Sequence, residues 1–221
     1  EDLETSNKAS DVLKKQEGSY TDFYFNYTIN QDLRDRKFRT QDGYQTFFSQ
    51  EVPLISDNSE FSNAFEFSKF KKLSTKSDTV GKVSFFAKTI TSLSDDVRIS
   101  KRLNVPTNKL RGFEKGRVGP IDNNDYVGGN HVTTLNLSAT LPNILEDLDN
   151  LDIGVFFDAA NIWGVDYNSS LDDKSTIRTS TGIAFNLLTP IGPLSFSFAN
   201  ALTKASSDKT ETFRFRLGTQ F

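Results

Sequence analysis

The chain ends in Phe213-Arg214-Phe215-Arg216-Leu217-Gly218-Thr219-Gln220-Phe221, and this stretch decides the fold. Its large apolar side chains fall on odd positions and its two arginines on even ones. Only an extended strand turns a period of two into two distinct faces. A soluble sheet would hide the apolar face in a core. A strand in a bilayer turns that face to lipid and keeps the arginines in a polar interior, since an Arg at the lipid-facing midplane costs about 2–4 kcal/mol.

The same rhythm runs back along the chain. Leu194, Phe196 and Phe198 alternate with Ser195, Ser197 and Ala199, and Ile177 to Leu187 alternates with Arg178, Ser180, Gly182 and Asn186. Leu151, Ile153, Val155 and Phe157 oppose Asp152, Gly154, Phe156 and Asp158, and Thr133 to Leu141 opposes Val132, Thr134, Asn136 and Ser138. Weaker sets lie at Val83–Ala87, Phe61–Phe67, Thr46–Leu54 and Phe23–Ile29. Nine strands result, each of about ten residues, the length that crosses a bilayer at barrel tilt. Helical spacing is confined to the start, where Ser10 can cap a short helix, Val12 and Leu13 supply an apolar patch and Gly18 can end it. Residues 1–18 therefore read as a loop with a short helix, and residues 19–221 as a transmembrane β-barrel portion.

Two features favour the membrane over a soluble sandwich. Aromatics at strand ends (Phe23, Tyr27, Phe221) suit interfacial girdles. Connections also differ by end: Leu188 to Pro193 is tight, Gly164 to Thr176 and Lys204 to Thr210 are open, and the stretch 92–127 is much the longest, an expected extracellular loop. No apolar run approaches the roughly 20 residues of a transmembrane helix. The 20 Phe residues stand in a chain of low mean hydropathy, as an alternating barrel requires.

Composition excludes several functions. A net charge of −3 offers no basic face for nucleic acid. Cysteine is absent, so disulfides, thiol catalysis and Cys-ligated metals are excluded. Methionine is absent even at position 1, and the charged start (Glu1, Asp2, Glu4) is no signal peptide, so a processed or excised segment of a longer chain is expected. One histidine, His131, follows Gly128-Gly129-Asn130 with no partners marked for a catalytic triad, and it reads as a strand-start residue. Asp95–Asp96, Asp122–Asp125 and Asp172–Asp173 lack calcium-loop spacing and read as solvated loops. Triplets at Asn26, Asn136 and Asn168 match a glycosylation pattern that is common by chance. No catalytic residue, metal site or cofactor is expected.

The sharper signal is Leu110-Arg111-Gly112-Phe113-Glu114 inside the longest loop. Arg offers a rigid planar fork, Gly a tight backbone turn and Phe a large anchor. Such a tip can enter a polar cavity and pair with an inward carboxylate. Asp158, on the face opposite Phe157, is the candidate.

These residues carry a resemblance. Arg111-Gly112-Phe113, then Gly119-Pro120 and Val127-Gly128-Gly129-Asn130, resembles the long sixth extracellular loop of the BamA-type outer-membrane assembly family, also called the surface antigen D15 or outer-membrane insertase family. Phe156-Phe157-Asp158 with Asn161-Ile162-Trp163, Ile177 to Ala184, and Thr189-Pro190-Ile191-Gly192-Pro193-Leu194 are similar to that family's late strands and its tight periplasmic turn. Asp32 to Gly43 resembles an earlier periplasmic turn, and Phe213 to Phe221 an outer-membrane C-terminal strand. The likeness runs from about Asp22 to Phe221.

The resemblance implies a C-terminal portion of a barrel of about sixteen strands, in the outer membrane of a Gram-negative bacterium, that folds and inserts other barrels through a poorly paired lateral seam. It implies Arg111, Gly112 and Phe113 in the lumen, Phe156 and Asp158 as their partners, and Phe213, Phe215, Arg216, Leu217, Gly218 and Phe221 on the C-terminal side of the seam. The implied partners are outer-membrane lipid, unfolded outer-membrane clients and, through the parent chain, assembly-machinery lipoproteins. At Ser138 the chain departs from the family, whose members often carry an inward acidic residue there, so a thinner Arg111 network is expected. Two rivals remain. A two-partner-secretion pore shares the fold and the Arg-Gly-Phe loop, and the number of periplasmic repeats upstream would separate it. A soluble all-β binding domain would need no detergent.

Overall fold

The structure, a computed structural model, describes residues 1–6, 9–74, 78–142, 150–171, 176–189 and 192–217. Nine strands form one antiparallel sheet: β1 (Asp22–Asp32), β2 (Gly43–Ser56), β3 (Glu60–Lys72), β4 (Val80–Ser92), β5 (His131–Pro142), β6 (Leu151–Trp163), β7 (Arg178–Thr189), β8 (Gly192–Thr203) and β9 (Phe213–Leu217). Each pairs with its neighbour in sequence, so β1 and β9 are the two edges. The nine strands fall on the nine alternating stretches and most run beyond them, the last being described over Phe213–Leu217. Val83–Ala87, for example, grows to Val80–Ser92, because Gly81, Lys82 and Thr91 pair with β3 through the backbone without marking the alternation.

The faces sort as the alternation requires. Phe23, Phe25, Phe65, Phe85, Leu135, Leu137, Val155, Ile183, Phe198, Phe213, Phe215 and Leu217 are all exposed on the outer face. Aromatic rings run together across it, with Phe196–Phe215 and Phe198–Phe213 centroids both 5.1 Å apart. A contiguous apolar surface of this extent marks contact with lipid or a partner. The inner face carries Glu60, Ser62, Ser68, Ser84, Thr134, Asp158, Ser180 and Ser197, all buried.

The inner face is buried because the connection from β4 to β5 folds over it. Val97, Leu103, Leu110, Phe113 and Val118 of that connection form the main apolar cluster with Ile90, Val132, Ala160 and Ile162 of the wall. A flat sheet would hold β1 and β9 about 38 Å apart. Yet this one connection hydrogen-bonds Asp22 of β1 and Arg214 of β9, so the sheet curls around it. The expected loop 92–127 runs on to Asn130, and Ile121–Asp122 pairs with Asp125–Tyr126 inside it.

At the opposite end, Thr189 pairs with Gly192 in the tight turn. The β1–β2 turn at that end is longer, and Arg39 within it reaches Asp152 on β6 at 3.1 Å. At the start of the chain, a helix at Asp11–Lys14 is capped by Ser10 Oγ, which accepts from Leu13 N at 3.4 Å, and Asp2–Leu3 pairs with Gly18–Ser19.

Candidate functional site: the docked loop tip and the edge strand

The tip of the long connection lies on the inner wall of β5, β6 and β7. Arg111 donates Nε to Asp158 Oδ2 and Nη2 to Asp158 Oδ1, both at 2.7 Å, a fork-on-fork pair. Its own backbone N–H also donates to Oδ2, at 3.1 Å. Asn136 on β5 completes the carboxylate's shell with Nδ2 at 2.9 Å from Oδ1. Asp158 and Asn136 are directly opposed in the β5–β6 ladder, which is why both reach one point. Asp158 has no exposed surface, whereas the Arg111 side chain keeps 19%. Ser138 does not enter this shell; Asn136, which sequence reasoning did not single out, occupies it and also donates to Lys109 O at 2.6 Å.

Phe156, two residues before Asp158 and on the same face, puts its ring 3.4 Å from the Arg111 guanidinium carbon. A cation over an aromatic face is attracted by the ring quadrupole, more strongly when water is excluded. The ring lies over Gly182 of β7, where an added Cβ would meet its Cζ at 2.8 Å. Gly112 takes φ +86°, and an added Cβ would press on Ser180 and Ala199 Cβ at 3.3 and 3.2 Å. Both the left-handed backbone and the close approach require glycine there. Ser180, fully buried, donates to Arg111 O at 2.5 Å. Phe113 is 2% exposed and anchors the apolar cluster.

Arg98, Arg102 and Arg178 fasten the same connection through further ion pairs, none of which sequence reasoning found. Arg98 donates Nε and Nη2 to Glu60 on β3, each at 2.9 Å, and Nη2 to Asp22 on β1 at 2.6 Å. The Glu60 hydrogen bonds outweigh burial and push the Arg98 pKa up, so it stays charged. Arg102 pairs with Asp166 beyond β6. Burial there opposes the carboxylate's charge, but Val97 N–H, Asn130 and the Arg102 guanidinium together hold its pKa below the usual range. Arg178 on β7 donates Nε to Asp208 at 2.9 Å with neither side chain exposed, and Gly119 N in the connection donates to the same carboxylate at 3.3 Å. Buried Arg–carboxylate pairs are costly to break from one side only, about 3–5 kcal/mol.

The C-terminal strand stands beside the tip. Arg214 and Arg216 lie on the inner face, and Phe213, Phe215 and Leu217 on the outer one. Gly218 and Phe221 fall outside the described residues. Among the described residues β9 pairs with β8 alone, from Leu194–Leu217 to Phe198–Phe213. Among the described residues no group of three or more His, Cys, Asp or Glu is placed to hold a metal ion. His131 Nδ1 shares a 2.7 Å hydrogen bond with Thr89 Oγ1, and its ring lies against Trp163.

The comparisons with known proteins agree with this geometry. The whole chain, residues 1–221, matches the family described as the Omp85 superfamily domain, including the first residues that the sequence resemblance left uncovered. The outer membrane protein assembly factor BamA of Neisseria meningitidis is 31% identical over 51% of this chain and 17% of its own length. That of Neorickettsia risticii is 27% identical over 52% of this chain and 16% of its own. A crystal structure of Haemophilus ducreyi BamA lacking POTRA domains 1–3 superposes with a TM-score of 0.80 at 25% identity, over 88% of this chain and 41% of that one. The chain thus spans less than half the length of each of these relatives.

Proposed function

The chain belongs to the Omp85 superfamily, and from that premise we propose that it is the membrane-embedded C-terminal part of a BamA-like assembly protein. In this reading it helps fold and insert β-barrel proteins into the bacterial outer membrane. Its partners are outer-membrane lipid around the aromatic outer face, unfolded barrel clients and, through the parent chain, assembly-machinery lipoproteins.

The observation that carries the reading is the docked tip together with the strand beside it: Arg111 of the Arg-Gly-Phe turn forked onto Asp158, and β9, apolar toward lipid, arginine-bearing toward the lumen and backed by that loop. An unpaired edge in lipid leaves backbone groups unsatisfied, at several kcal/mol each. Such an edge is a template for an incoming strand, with main-chain hydrogen bonds supplying affinity and the alternation of side chains supplying register. The work is strand pairing, with no covalent step, and no enzymatic role is invoked.

Cross-linking in the full-length protein tests this. The chain has no cysteine, so a single cysteine at Leu217 reports on β9 alone within it. Leu217→Cys is expected to capture a stalled client carrying a cysteine near its own strand end, whereas Phe25→Cys on the other edge is not. Absence of any client adduct at Leu217, under conditions where the protein still inserts clients, removes the templating role from β9.

A further inference from the structure

The tip is joined to the edge strand as well as to the wall. Past Gly112 the connection runs beside the segment that leads into β9: Glu211 N donates to Gly112 O at 3.1 Å, Glu114 N to Lys209 O at 3.0 Å, and Lys209 N to Arg117 O at 3.0 Å. Phe113 and Thr210 form a β-bridge at the centre of this ladder. The lead-in is fixed in turn by Asp208, which Arg178 and the N–H groups of Gly119 and Ala205 all address.

Arg214, the first inward residue of β9, closes the arrangement. Its Nη1 donates to Thr107 O, its Nη2 to Phe113 O and its Nε to Glu211. The two carbonyls flank Arg111 in sequence, one on either side of the tip. One rigid guanidinium therefore spans the base of the docked turn while its own backbone belongs to the sheet edge. A planar fork with fixed N–H directions suits three acceptors spread around it, whereas a Lys ammonium gathers its three donors at one point. Within the sheet, among the described residues, β9 is held by β8.

We propose that Arg214 is a positioning residue that couples docking of the Arg111 tip to the placement of the edge strand, so that tip and strand settle or loosen together. This rests on the reading of β9 as the strand offered to clients, but the coupling itself is measurable without a client. Arg111 makes no described hydrogen bond or ring contact with β9; its one direct reach to the strand is charge repulsion with Arg216. Losing that repulsion would steady β9, so any loosening of β9 by Arg111→Ala must pass through the tip.

The test is amide hydrogen exchange by mass spectrometry on the full-length protein in phospholipid vesicles, following peptides that cover β9 and β7. Arg214→Ala is expected to speed exchange of the β9 amides about tenfold while β7 holds. Arg111→Ala is expected to speed β9 by a similar factor, and the double variant to add nothing further, because both substitutions open the same link. Arg214→Lys should fall between, at about threefold, and carries the same cycle if Arg214→Ala fails to insert. Multiplicative factors in the double variant, or a β9 that ignores Arg111→Ala, overturn the coupling. Client insertion measured in the same vesicles separates the two ideas. If β9 responds as stated but no β9 or tip variant changes insertion, the assembly reading falls and the coupling stands. If insertion depends on Arg111 while β9 exchange does not, the coupling falls and the assembly reading stands.

Discussion

Arg98 and Arg111 belong to the same connection and meet the same wall, yet they are held in opposite ways. The Arg98 side chain is 2% exposed and shares two carboxylates, Glu60 at 1% exposure and Asp22, across two strands. Tyr20 covers it, its ring centroid 4.5 Å from the guanidinium carbon. Arg111 keeps 19% of its side chain exposed and rests on one carboxylate and one ring. The first is a fastening at the start of the connection, dry and multiply bonded. The second is a latch at its far point, strong in geometry but open to water on one side. A charge that water can reach while its pair opens costs less to release than one that is sealed. The connection is thus held most firmly at its start and released most readily at its tip.

Substitutions can break or sharpen that contrast. The largest loss of stability is expected from Arg98→Ala, which takes the guanidinium from two carboxylates at once, leaving buried Glu60 with Tyr24 Oη, and should cost about 3–5 kcal/mol. A shift of the urea unfolding midpoint in detergent micelles would measure it. Arg111→Ala should cost less, about 1.5–3 kcal/mol, since Asn136 still serves Asp158 and water can enter beside it. Its effect on client insertion should nonetheless exceed that of Arg98→Lys. If the order of the two stability losses is reversed, the distinction between fastening and latch is lost. The smallest effect is expected from Asn136→Ala, about 1 kcal/mol, with the Arg111–Asp158 pair intact. A loss as large as that of Arg111→Ala would show that the latch is a three-membered unit, not an ion pair with a helper.

The contrast also explains what could be read from sequence. Strand alternation is local, so Phe213-Arg214-Phe215-Arg216-Leu217 displays both faces within five residues. Arg111 and Asp158 were legible because each sits in a short distinctive context, Arg-Gly-Phe and Phe-Phe-Asp, where chemistry and phase agree. Arg98–Glu60 and Arg178–Asp208 were not. Glu60 directly precedes the stretch in which alternation begins at Phe61, and Asp208 lies in a connection that reads only as open and polar. Arg178 shows its face but not its partner, which comes from another connection 30 residues on. A pair formed by tertiary folding leaves no periodic trace. Asn136 was visible as an inward residue, but a neutral amide carries no charge to mark its task.

The order of the strands along the chain has a consequence in time. Every strand of the sheet pairs with the one made just before it, so the wall can be laid down hairpin by hairpin with little entropy lost to loop closure. The long connection follows another schedule. Glu60 and Asp22, which hold Arg98, are upstream and already in hand when Arg98 emerges. Asp158, Asp208 and Arg214, which hold the tip, are all still to come. A tip whose receptors lie downstream cannot meet Asp158 until β6 is made, nor Arg214 until β9 is. Its docking therefore records, contact by contact, how far the wall has been laid down beyond β5.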